Sequence, residues 1–122
     1  MPLPNVSIVL LVYTDAGLNR FCWRVIREDG VTIDSGVQET VGESMYLEAL
    51  ALAYVLARLA GMGYSGARIH WYTDAKPIVD VLRGRIRPRK PGIQWVIGQV
   101  TWLAHRHGFR IEPEYCPGCF DC

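Results

Sequence analysis

From Val6 to Tyr13 the chain reads Val-Ser-Ile-Val-Leu-Leu-Val-Tyr, a nearly unbroken apolar run of strand length rich in β-branched residues. Such a run predicts a central strand buried on both faces. Arg20–Ile26 and Val31–Val37 predict two further strands, joined by Arg27-Glu28-Asp29-Gly30, whose Asp-Gly pair suits a hairpin turn. Between Ser44 and Ala60 there is neither Gly nor Pro, and Ala, Leu, Met, Tyr and Glu predominate. That composition predicts a helix of about four turns, with Leu52, Val55, Leu56 and Leu59 along one stripe. A short strand, Ile69–Tyr72, precedes a helical segment, Ala75–Leu82, with Pro77 in its first turn and Gly84 past its end. A further helix, Ile93–Arg106, leads to a last strand, Gly108–Tyr115. The pattern is α/β: a five-stranded mixed sheet in βββαβαβ order, the two later helical segments lying before the last strand, with helices packed against it.

Three acids fall where these elements begin or end. Asp15 lies at the exit of the first strand and Asp74 at the exit of the fourth. Glu48 heads the apolar stripe of the long helix, so its carboxylate points where the apolar face points and needs a cation there. Glu43 is the alternative to Glu48, although its place before the first turn suits stabilisation of the helix start. Asp74 has a second reading as the N-cap of the helix that follows it.

In this order the motifs resemble a type 1 ribonuclease H domain. The resemblance is carried by Tyr13-Thr14-Asp15, by Cys22-Trp23-Arg24-Val25-Ile26 with Gly30 in the hairpin, by Glu48-Ala49-Leu50-Ala51-Leu52, and by Ile69-His70-Trp71-Tyr72-Thr73-Asp74. It covers roughly residues 6 to 121. It implies a metal-dependent endonuclease that hydrolyses the RNA strand of an RNA–DNA hybrid, with Asp15, Glu48 and Asp74 as catalytic metal ligands. The family's fourth carboxylate follows the last strand at the start of a terminal helix. Here Asp121 is the acid after that strand, the chain runs one residue further, and Glu112 and Glu114 are nearby substitutes. The resemblance implies two Mg²⁺ or Mn²⁺ ions, a chemistry in which paired hard cations stabilise the attacking and leaving oxygens of an in-line displacement at phosphorus.

Thirteen basic and twelve acidic residues leave a net charge of +1, so nothing global demands a polyanion. Locally, Arg83, Arg85, Arg87, Arg89 and Lys90 crowd the segment from 83 to 90 without an acid. Because the segment follows the helix that begins at Asp74, it is the expected contact to a nucleic-acid backbone. Asn19, Arg27 and Gln38 are candidates for reaching 2′-hydroxyls. His105 and His107 are weighed as proton shuttles, although their place at a helix end suits the dipole; His70 is expected to pack within its strand. Trp95 and Trp102, seven residues apart with Gln99 between them, are expected in the core.

The length fits one domain, residues 1–122, with a short Cys-rich tail from 116 to 122. Met1–Asn5 lacks the positive region of a signal peptide and the first apolar run is too short to span a membrane, so a cytoplasmic location and no membrane partner are expected. Cys116, Cys119 and Cys122 form a CxxCxxC string, with Cys22 distant in sequence. It is half a zinc site by spacing, and reads otherwise as a tail open to oxidation. Two rival functions share the pattern: a nucleic-acid-binding module of this fold without activity, and an ATP-handling protein, which the small size disfavours.

Overall fold

The structure, a computed structural model, describes residues 8–122. The predicted start of the first strand at Val6, and the Met1–Asn5 stretch, lie outside the described residues. The elements are β1 (Val9–Gly17), β2 (Arg20–Arg27), β3 (Thr32–Glu39), α1 (Ser44–Gly61), β4 (Arg68–Thr73), α2 (Lys76–Leu82), α3 (Pro91–His107) and β5 (Arg110–Tyr115). They build one five-stranded sheet in the order β3-β2-β1-β4-β5. β1, β2 and β3 pair antiparallel, as hairpin connections require, whereas β4 and β5 join in parallel after helical crossovers.

The first turn forms as its sequence predicts. Gly30 takes the left-handed conformation at φ 89°, and the Arg27 and Val31 ends close on each other through a 2.9 Å backbone bond. Asp29 accepts from the Val31 amide at 3.1 Å and from the Arg27 guanidinium.

α1 is the core helix. Leu47, Leu52, Val55, Leu56 and Leu59 are buried, packed with Leu10, Val12, Phe21, Val25, Ile69 and Trp71 of the sheet. Among the described residues it is also the helix long and apolar enough to cross a membrane by length and composition alone, but its apolar residues are spent on this core. α3 adds Ile93, Val96 and Val100 to the same interior.

Two expectations about burial are corrected. β1 is not buried on both faces: Leu10, Val12 and Thr14 are buried, whereas Val9, Leu11 and Tyr13 between them are only half-buried. α1 covers the first set. On the second face Tyr13 meets Tyr72 and Phe120 of the tail instead of a helix. Trp95 and Trp102 are not core residues either, each being 59% exposed. The inward stripe of α3 is Ile93, Val96 and Val100, and each Trp lies about 100° round the helix from the Val or Leu that follows it.

Candidate metal centre

β1 and β4 run parallel with Tyr13 opposite Tyr72, so the two Tyr-Thr-Asp triplets of the sequence lie side by side. Equal offsets on parallel neighbours keep like side chains level and on one face. The tyrosine rings stack with centroids 4.8 Å apart. The threonines point to the other face, where both hydroxyls donate to the same oxygen of Glu48: Thr14 to Oε1 at 3.1 Å and Thr73 to Oε1 at 2.9 Å. Asp15 and Asp74 follow one residue later. One oxygen from each of Asp15, Glu48 and Asp74 lies within 4.8 Å of the other two.

Glu48 is only 3% exposed. Burial pushes its carboxyl up to about 7, against the pull of the two threonine bonds, and the charges of Asp74 and Asp15 push it the same way as burial. Three converging carboxylates repel one another unless a cation lies among them. An all-oxygen set of this kind fits a hard divalent ion such as Mg²⁺ or Mn²⁺, and does not fit a thiolate-seeking metal.

The alternatives for these acids separate cleanly. Asp74 does not cap α2. The N-cap is Ala75, without a side-chain capping bond, and the Ala75 amide donates to Thr73 Oγ1 at 3.1 Å. Glu43 precedes α1 and faces Lys90 Nζ at 3.2 Å, outside the carboxylate group. Glu112 faces Arg68 at 2.8 Å and His70 at 3.3 Å, and Glu114 faces Arg83 at 3.4 Å. Asp121 is exposed and is not among the three acids whose oxygens meet.

The tail nonetheless reaches the site. The Cys116 amide donates to the Thr73 carbonyl at 2.7 Å, extending β5 alongside β4. Phe120 lies 6.2 Å from Tyr13, with the Arg24 guanidinium 5.8 Å above its ring. Cys122 is disulfide-bonded to Cys22, the residue opposite Asp15 in the β1–β2 register, and its amide donates to Asp15 Oδ2 at 3.2 Å. The sulfurs of Cys116 and Cys119 also adjoin. The distant Cys22 is thereby explained: β2 delivers it to the tail.

The five cations of the 83–90 segment are not equivalent. Arg83 donates to the Pro113 carbonyl at 2.7 Å, Arg85 faces Asp80 at 3.5 Å and Lys90 faces Glu43. Arg87 and Arg89 have no ion pair among the described residues. Both line a cleft of about 640 Å³ floored by Met45, Ile78 and Ile93, and Met45 stands one turn before Glu48 on α1.

His105 and His107 are removed from this edge of the sheet. The His107 carbonyl accepts from Gly66, before β4 begins, whereas Asp74 follows its end. Six strand residues separate the two, roughly 20 Å, so neither His105 nor His107 serves this centre as a shuttle. Asn19 and Arg27 are occupied in turns, Asn19 Oδ1 accepting from Gly42 and Arg27 pairing with Asp29; Gln38 donates to the Glu39 carbonyl. Sequence reading missed Thr14, Thr73 and Trp71, whose indole N–H donates to Thr14 Oγ1 at 2.8 Å. The available signal was the repeated triplet.

The sheet order, the long helix on its first crossover and the acids at one edge make this a type 1 ribonuclease H-like fold. No protein-family model matches the chain, and no curated protein does. Solved structures do. The N-terminal RNase H domain of a Mycobacterium tuberculosis protein superposes with a TM-score of 0.79 at 19% identity, over 92% of this chain and 84% of that one. RNase H1 from Halobacterium salinarum gives 0.75 at 18%, over 87% and 85%. LC11-RNase H1, solved in complex with an RNA/DNA hybrid, gives 0.77 at 15%, over 86% and 84%.

Proposed function

We propose that this chain is a metal-dependent endoribonuclease that hydrolyses the RNA strand of RNA–DNA hybrids. The observation that carries the reading is the meeting of Asp15, Glu48 and Asp74 within 4.8 Å at one edge of the sheet. The three carboxylates would hold Mg²⁺ or Mn²⁺, as a pair of ions. Such ions supply charge neutralisation at the scissile phosphate and a water made acidic enough to act as nucleophile. Asp121, one residue from the Cys122 amide that binds Asp15, is the candidate to complete the set. Arg87 and Arg89, on the loop above the cleft beside α1, would take the phosphate backbone. LC11-RNase H1 binding a hybrid on the same fold supports this choice of substrate.

The test is cleavage of a labelled hybrid beside duplex DNA and duplex RNA, with Mg²⁺ or Mn²⁺, by the wild type and Asp74→Asn. Hybrid-specific cutting lost in the variant is the expected result. Binding of the hybrid without cutting under either metal would move the chain to the nucleic-acid-binding class.

A further inference from the structure

Glu48 lies in the interior with its two oxygens treated unequally. Oε1 accepts from both Thr14 and Thr73, whereas Oε2 has no hydrogen-bond partner among the described residues. Arg68 Nε is the buried side-chain polar atom left unpaired among those residues, so the unpaired Oε2 keeps access to solvent and is not sealed in. The hydroxyl protons are directed as well. A threonine hydroxyl has one proton to give and lone pairs to receive. Thr14 receives from the Trp71 indole, which is fully buried, and Thr73 receives from the Ala75 amide. Each hydroxyl therefore has its proton left for Glu48.

We propose that Thr14 and Thr73 are positioning residues that occupy Oε1 and so present Oε2 of Glu48 to a divalent cation, with Trp71 setting the donor direction of Thr14. The inference rests on the metal-dependent reading of this same site. A carboxylate without these bonds rotates about its last torsion and turns either oxygen, or neither, toward the ion. With them, one oxygen is fixed before the ion arrives. The side-by-side Tyr-Thr-Asp triplets deliver the two hydroxyls symmetrically, which a single strand cannot do.

The experiment measures Mn²⁺ binding by calorimetry to the full chain without nucleic acid, then hybrid cleavage as a function of Mn²⁺. The proteins are wild type, Thr14→Val, Thr73→Val, Thr14→Ser, Thr73→Ser and Trp71→Phe. Each Val variant is expected to weaken Mn²⁺ by about ten-fold, with turnover recovering at saturating metal. Each Ser variant, which keeps the hydroxyl, should return to near the wild-type value. Trp71→Phe keeps a ring and loses the directing donor, so a smaller shift in the same direction is expected. Val variants that fold in chelator and bind Mn²⁺ as the wild type does would overturn the proposal. Should the Val variants fail to fold, Ser variants with the affinity loss, or a Trp71→Phe protein with none, would overturn it equally. Mn²⁺ binding by a wild type that cuts no hybrid would sink the nuclease function while leaving the positioning role to be decided by the same affinities.

Discussion

Replacing Glu48 by Gln should stabilise the metal-free protein while destroying its metal site. The Gln carbonyl can still accept from Thr14 and Thr73, and its amide can take the place of Oε2. What disappears is a buried charge. The Glu48 carboxyl stands at about 7 in the fold against its usual 4.5. Below pH 4.5 both folded and unfolded chains hold the proton, and the group contributes nothing to the balance. Between 4.5 and 7 the unfolded chain releases it and the folded chain keeps it, so stability falls as pH rises. Above 7 the loss is complete, about 3 kcal/mol at 1.36 kcal/mol per unit. For a domain of this size that is on the order of 10 °C in melting temperature. The assay is urea unfolding of both proteins in chelator, disulfides intact, from pH 4.5 to 8.5. The expected result is a gap in favour of Glu48→Gln that opens with rising pH and saturates above 7. A gap independent of pH, or a less stable variant at pH 8, would refute the reasoning. Adding Mn²⁺ at pH 8 should reverse the order, because only the wild type gains a ligand.

Other parts of the chain lead to separate expectations. Arg87→Ala with Arg89→Ala should weaken hybrid binding without changing sequence preference and reduce the salt slope by about 2, as titrations at several salt concentrations would show. Lys90→Ala should do less, because Lys90 already faces Glu43. Cys22→Ser should lower stability by about 2–5 kcal/mol in denaturant unfolding, since the Cys22–Cys122 bond closes a loop spanning 100 residues. A reducing agent should do the same to the wild type and little further to the variant, in which only the short Cys116–Cys119 loop is left to open. Gly36→Ala should cost about 1–3 kcal/mol by the same unfolding assay. A Cβ there would lie 2.6 Å from the Trp23 indole, which is held in place by its bond to Asp34 at 3.0 Å and by Arg58 above it.

The sheet was legible in the sequence because apolar period and turn residues agree with one another along most of the chain. The three carboxylates were legible for a related reason: Asp15 and Asp74 follow apolar strand runs and Glu48 heads an apolar helix stripe, so each acid is conspicuous against its neighbours. Thr14 and Thr73 were not, since threonine is an ordinary strand residue and nothing local distinguishes one that faces a carboxylate. Their role depends on the register of β1 against β4, a long-range fact. The same holds for Cys22, whose partner is chosen by the strand that carries it. Trp95 and Trp102 misled because spacing seven residues apart defines a helix face without saying which face turns inward. Asp74 was ambiguous until Thr73 proved to take the capping bond that Asp74 was free to make.

The Cys22–Cys122 bond also changes where the fold is mechanically held. Without it, tension applied at Cys122 would be borne by the tail and then by β5, an edge strand that peels one residue at a time. With it, tension at Cys122 passes directly into Cys22 on β2, which is flanked by β1 and β3. Pulled between residues 8 and 122, the chain would extend through 14 residues before the covalent loop bore the load, about 50 Å of contour, against about 400 Å with the bond reduced. An unfolding machine that grips this end must shear an inner strand from both neighbours at once, so reduction of one bond decides whether it meets a zipper or a knot.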